Sequence, residues 1–257
     1  MRDPNPEVLG SGFSLLHNAG IQVESGLLES QAEAINLGFI KRMKVKRPFV
    51  RIKMATSIDG RTAMESGESQ WITGAAARQD VQRLRARSSA VITGIGTIKH
   101  DDASLTVRAS ELDLPHAEEI AKRQPLRVIL DSKAQIRETS KLFTLAGPIL
   151  LVVSAEASIP ESILKHEHVS VLSLPINTKG AERFSEIDFV LEELARRGCN
   201  EVLVEAGASL VGSFIKAGCW DEMVLYIAPK LMGSSARPLA ELALNEMSET
   251  IPLQLTG

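Results

Sequence analysis

The sequence predicts an α/β protein: a central, mostly parallel sheet flanked by helices. Two observations lead there. From Pro48 onward, short apolar runs alternate with segments of helical period. The longest apolar runs, Pro148 to Val153 and Val224 to Ala228, are the length of strands. A hydrophobic content of 44% over 257 residues supports one large domain, or one domain with a piece of another.

Residues 1–46 read differently from 47–257. Gly10, Gly12, Gly20 and Gly26 break the first part into short pieces. Ile21 to Val23 is expected as a small strand, and Gln31 to Lys44 as a helix with Ala34, Ile35, Gly38 and Phe39 at helical spacing. The basic run from Lys41 to Arg47, stopped by Pro48, is expected as a hinge. Strands are then expected at 49–55, 90–93, 126–130, 149–153, 169–172, 201–204 and 222–228. Helices are expected at 74–87, 185–197 and 208–216. In the first of these Val81 and Leu84 face inward; the second carries Ile187, Val190, Leu191 and Leu194 on one face and ends in Arg196, Arg197 and Gly198. Residues 102–125 lack a period, carry many acids and are expected as a surface excursion.

Composition excludes several classes. No apolar run spans a bilayer, and no apolar signal core follows Met1-Arg2-Asp3-Pro4, so the chain is expected to be cytoplasmic. Cys199 and Cys219 lack Cys-x-x-Cys spacing and read as buried, reduced thiols. A net charge of −3 argues against a nucleic-acid partner, and 4% aromatic residues against base stacking. Arg78, Arg83, Arg85 and Arg87 crowd one helix, as either a solvated basic face or an anion site.

Chemistry is expected at strand ends, where a buried sheet holds polar loops. Lys53 to Ala63, followed by Gly67 to Gly74, gives a loop dense in Ser, Asp, Gly and Arg, together with Trp71, which no ordinary turn requires. Gly94-Ile95-Gly96-Thr97 is either a phosphate loop or a plain tight turn. Glu205-Ala206-Gly207 leads into a helix whose N-terminus suits an anion, and Glu205 stands at the strand tip. At Asp131-Ser132-Lys133, the acid would favour a ribose 2′-hydroxyl, whereas Ser132 and Lys133 would receive a 2′-phosphate. His116-Ala117-Glu118 matches half of a zinc-deaminase signature, but no Pro-Cys-x-x-Cys accompanies it, so it reads as chance. His166 and His168 read as a solvated pair.

These motifs resemble the reductase domain of the bifunctional deaminase/reductase of riboflavin biosynthesis. Asp3 to Pro6, Ala19-Gly20-Ile21 and Asn36 to Phe39 resemble the closing segments of that family's cytidine-deaminase-like domain. The resemblance implies a C-terminal deaminase remnant and linker at 1–46, and a dihydrofolate-reductase-like reductase domain at 47–257 lacking its closing strands, with a sheet edge left exposed. Zinc would belong to the missing deaminase part alone. It further implies NADPH against Ala55, Trp71, Thr97, Asp101 and Ser132, with Gly207, Ala208, Ser209, Leu210, Val211, Gly212 and Ser213 cradling the diphosphate. Substrate would lie against Ser69, Arg85, Leu105, Arg108 and Glu205, with Arg108 on its phosphate. Lys53 and Asp59 are added as pocket residues, and Lys53, Asp59 and Glu205 are the catalytic candidates. The implied partners are a small phosphorylated substrate and a second copy of the chain. The rivals are a related enzyme acting on a pterin-like heterocycle and a non-catalytic nucleotide-binding remnant.

Overall fold

The computed structural model describes residues 2–8, 10–175 and 186–256. Its helices are α1 (Ser11–Asn18), α2 (Glu29–Ala34), α3 (Leu37–Val45), α4 (Ala75–Arg87), α5 (Ile95–Asp101), α6 (Ala117–Lys122), α7 (Glu161–Leu164), α8 (Glu186–Arg196) and α9 (Ala208–Lys216). Its strands are β1 (Phe49–Ser57), β2 (Arg61–Ala63), β3 (Ala90–Gly94), β4 (Leu126–Leu130), β5 (Ile149–Ser154), β6 (Val169–Leu174), β7 (Glu201–Val204), β8 (Glu222–Ala228) and β9 (Arg237–Pro238). The expected elements from Phe49 onward are present, most within a residue or two of the expected ends; Ser185, the expected start of α8, lies outside the described residues.

Seven strands form one sheet in the order β6-β5-β4-β3-β7-β1-β8, with every pairing parallel. Parallel strands are covered on both faces, which explains the continuous apolar runs. On one face, Val50, Ile52 and Met54 of β1 pack with Val190, Leu191 and Leu194 of α8 and Val211 and Phe214 of α9. On the other, Val91, Ile129, Leu151 and Leu203 meet Leu84 of α4, Ile98 of α5 and Ile163 of α7. β2 and β9 form a separate antiparallel pair. β8 is one sheet edge and exposes Leu225 and Ile227.

Five expectations are corrected. Ile21 to Val23 is not a strand, and the expected helix over 31–44 is broken at Ile35 and Asn36 into α2 and α3. The expected hinge is anchored instead. Lys41 lies 2.6 Å from Asp221, Arg42 bonds Asn200, and Arg47 pairs with Asp188 and Glu192. Gly38 allows this docking, since a Cβ there would lie 2.6 Å from the Asn200 carbonyl oxygen. The expected surface excursion at 102–125 is partly core, with Leu105, Val107 and Leu112 all nearly or fully buried. His166 stacks on Phe143 and His168 Nε2 is buried, so the pair is half-buried rather than solvated. The physical reason is common to all five: tertiary contacts override local pattern. Cys199 and Cys219 are free and buried, as expected.

α9 is seated by Gly212, whose added Cβ would stand 2.4 Å from the Glu241 carbonyl oxygen, while the Glu241 N–H donates to the Ala208 carbonyl. Gly212→Ala should therefore destabilise the fold by about 1–3 kcal/mol through overpacking. Urea unfolding measures this, and an unchanged midpoint would mean that the 239–242 segment does not sit against α9.

Candidate active site

The topology decides where a ligand can enter. After β3 the chain steps outward through β4, β5 and β6, then returns to place β7 between β3 and β1. Connections leaving β3 and β7 depart in opposite directions, which opens a crevice outside the carboxyl ends of the strands. Both sides of that crevice are lined by glycine-led helix starts. Gly94 begins α5 and Gly207 begins α9, and a Cβ on Gly94 would lie 3.5 Å from Leu210. The Val211 N–H makes the bond to the Gly207 carbonyl, so the amides of Ala208, Ser209 and Leu210 precede the helical ladder. No side chain caps this helix start.

The floor of the crevice carries charge. The β1–β7 register runs to Ile52 opposite Val204, and the next residues on the two strands are Lys53 and Glu205. From α4, Arg85 reaches over to Glu205, with Nε 2.5 Å from Oε1 and Nη2 2.9 Å from Oε2. The two side chains are 12% and 11% exposed, so water screens them little. Burial works to raise the Glu205 pKa, but Arg85, then Lys53 and Arg108, outweigh it and hold the carboxyl below its ordinary 4.5. Burial works to lower the Arg85 pKa, and Glu205 reverses that shift. Lys53 is pushed below 10.5 by burial, with Glu205 opposing and Arg85 assisting. Its ammonium lies 6.0 Å from the ring of Tyr226, whose hydroxyl is 2.5 Å from Asp80 Oδ2 on α4. A cation whose pKa is lowered, beside a fixed ion pair, is equipped to hold an anion or release a proton.

The sequence-predicted residues divide into groups. Lys53, Arg85 and Glu205 come together as described, and the field of Arg108 reaches Glu205. Ala55 lies two residues beyond Lys53 on the same face of β1, opposite Tyr226. Thr97 and Asp101 sit one turn apart on α5, and Ser69 is half-buried in its loop. Trp71 is exposed under the Arg78 guanidinium, 4.6 Å from its ring centroid, and its carbonyl accepts from Lys230. Ser209 and Ser213 are exposed. Val211 and Gly212 face the core, so within the 207–213 segment the amides of 208–210 are the donors left for a ligand. Leu105 buries its side chain, leaving its backbone for any contact.

Asp59 has other work. Its carboxylate accepts from Ser57 Oγ at 2.5 Å and from the Met232 and Gly233 amides, pinning the 57–61 loop to the 230–233 loop. The Ser57 bond, with the backbone amides, lowers its pKa to about 2, which is poorly matched to proton transfer near neutrality. The arginines of α4 do not form one anion site. Arg78 stacks on Trp71, Arg83 bonds the Leu112 and Asp113 carbonyls, Arg85 holds Glu205, and Arg87 pairs with Glu201. Asp131 is buried and accepts from the Ile136 amide, while Ser132 and Lys133 are exposed beside it. Among the described residues, no group of three or more His, Cys, Asp or Glu is placed to hold a metal. Sequence reasoning missed Asp80, Tyr226, Gln82 and Gln124. The one signal available was that Tyr226 is the only tyrosine in the chain.

Such a layout defines an open-sheet α/β domain with its ligand crevice at the carboxyl edge and a charge array suited to an anionic ligand. Comparison with known proteins gives the particular family. Residues 48–256 match the family described as the RibD C-terminal domain. The riboflavin biosynthesis protein RibD of Haemophilus influenzae is 44% identical over 254 residues, covering 94% of this chain and 63% of that relative. Among solved structures, Acinetobacter baumannii RibD (form 1) superposes with a TM-score of 0.87 at 39% identity, over 100% of this chain and 67% of that one. A Thermotoga maritima diaminohydroxyphosphoribosylaminopyrimidine deaminase/5-amino-6-(5-phosphoribosylamino)uracil reductase superposes at 0.79 with 29% identity, over 100% of this chain and 66% of that one. The chain belongs to the RibD C-terminal domain family and has its dihydrofolate-reductase-like sheet. It spans a little under two thirds of the length of the curated relative.

Proposed function

We propose that this chain is an NADPH-dependent reductase of riboflavin biosynthesis, converting the ribosyl side chain of 5-amino-6-(5-phosphoribosylamino)uracil to a ribityl chain. The observation that carries the reading is the buried Lys53–Glu205–Arg85 group on the floor of a crevice lined by two glycine-led helix starts. The amides of Ala208, Ser209 and Leu210 suit a dinucleotide diphosphate. Burial of Asp131 removes the acid that would prefer a ribose 2′-hydroxyl and leaves Ser132 and Lys133 for a 2′-phosphate. When bound, NADPH supplies a hydride.

The substrate reacts as the ring-opened imine. A hydride delivered to C1′ would push the C=N π pair onto nitrogen, which would take up one proton. Lys53 would give that proton. Glu205, with both oxygens held by Arg85, fixes the charge around Lys53 rather than carrying protons itself. Arg108, 46% exposed at its side chain, would hold the substrate phosphate. Residues 1–46 are read as the closing part of a deaminase domain with its linker. A second copy of the chain is the expected partner, with Leu225 and Ile227 of β8 offering apolar surface. Among the described residues no helix is long and apolar enough to cross a membrane. The reading places the reaction in the cytoplasm, where free thiols such as Cys199 and Cys219 persist.

The test is NADPH oxidation by the purified chain with the deaminated phosphoribosylaminouracil. Substrate-dependent oxidation is expected; a folded protein that binds NADPH without turnover would overturn the reading in favour of a nucleotide-binding remnant. Lys133→Ala should weaken NADPH by about tenfold, the equivalent of one charge-assisted bond, and leave NADH unchanged. Equal effects on the two cofactors in steady-state kinetics would remove Lys133 from the 2′-phosphate site.

A further inference from the structure

Arg108 stands on a segment that no strand supports. Leu105, Thr106 and Val107 are 3%, 9% and 4% exposed, and Leu105 has a φ of +55°. Backbone groups at that depth need partners, and here side chains supply them. The Gln124 amide takes both polar groups of Val107: Oε1 accepts from its N–H at 2.8 Å, and Nε2 donates to its carbonyl at 2.9 Å. Nε2 also donates to the Ala121 carbonyl at 2.7 Å, which fixes the amide itself. Gln82, 1% exposed on α4, accepts the Arg108 N–H at 3.0 Å, and Arg85 Nη1 donates to the Thr106 carbonyl at 3.0 Å. A glutamine amide offers one acceptor and two donors, so Gln124 presents Val107 with the pair of bonds a neighbouring strand would give.

We propose that Gln82 and Gln124 are positioning residues that hold Arg108 ready for the phosphate of a phosphorylated sugar. The inference rests on the reading of Arg108 as the phosphate contact. Gln82 also faces Glu111, which pairs with Arg108 at 2.8 Å, so the same glutamine touches both the backbone and the counter-ion of the arginine. Without the two amides the 106–108 backbone has buried groups to satisfy elsewhere, and the guanidinium loses its place before any ligand arrives. Holding it in advance removes an ordering cost from binding.

The test uses the full chain and ribose 5-phosphate as probe, with affinity measured by calorimetry in parallel with NADPH affinity. Gln82→Met and Gln124→Met should each weaken ribose 5-phosphate by about tenfold, with NADPH affinity unchanged. Arg108→Ala should weaken it at least as much. The decisive comparison is the double variant Gln82→Met/Arg108→Ala, expected to bind no worse than Arg108→Ala alone, because the glutamine acts through the arginine. Additive losses would overturn the proposal, as would losses shared equally by NADPH, which mark a general loosening of the fold. A wild-type chain that does not bind ribose 5-phosphate overturns it together with the role of Arg108. Failure of the reductase reading is seen separately, as absent NADPH oxidation by a chain that binds both ligands.

Discussion

Lys53→Met should lower turnover by about 10²–10⁴-fold, the range for loss of a positioned proton donor, while NADPH affinity stays nearly constant. The physical basis is the position of Lys53 one step beyond the last β1–β7 pair, on the side of the sheet covered by α4. Burial lowers its pKa from 10.5, which makes the proton easier to give up, and Glu205 keeps it from being lost altogether. The sign of the pH dependence follows. The protonated form is the active one, so kcat/KM should fall as pH rises through the lowered Lys53 value, with an alkaline limb below 10.5. Glu205→Gln removes the group that raises the Lys53 pKa and should move that limb to lower pH; Arg85→Met removes one that lowers it and should move the limb higher. A pH–rate profile in which neither variant shifts the limb would assign the proton to another group.

Arg85→Met should destabilise the protein by about 3–5 kcal/mol, because it strands a carboxylate that is almost wholly shielded from water. The same change takes a donor from the Thr106 carbonyl. Arg85→Met/Glu205→Met, which leaves no unpaired charge, should regain most of that stability. The loss in the single variant should also depend on pH. The folded-state pKa of Glu205 is held below 4.5, so its contribution is complete above 4.5 and disappears as pH falls through the lowered value. The stability gap between wild type and Arg85→Met should therefore narrow in acid. Chemical denaturation at neutral and acid pH measures both effects. A single-variant cost below 1 kcal/mol would mean that solvent screens the pair.

Much of the fold was legible because its signals are local. The strand runs from Ala90 and Ile149 are apolar at nearly every position, as strands buried on both faces are, and the expected starts at Phe49, Ala90, Leu126, Ile149, Glu201 and Glu222 match the observed ones. Gly94 and Gly207 marked the two helix starts that line the crevice, since a glycine between an apolar run and a helical period is visible in sequence. Residues 102–125 failed for the opposite reason. Their buried backbone is satisfied by Gln82, Gln124 and Arg85, and side-chain bonds across 17 to 26 positions leave no period to read.

The site was half legible. In sequence Lys53, Arg85 and Glu205 read as separate pocket residues, Lys53 and Glu205 for catalysis and Arg85 and Glu205 for substrate. That Arg85 and Glu205 grip each other, and that Asp59 is tied to the Met232 and Gly233 amides, depends on groups 120 and about 174 positions away. The sequence by itself determined the alternation of strands and helices, the parallel sheet and the glycine turns at its edge, because periodicity and backbone freedom are written residue by residue. The tertiary structure alone decided which charges pair, which carboxylates are spent on the fold and how Arg108 is held, because those outcomes depend on distance and desolvation between segments remote in the chain.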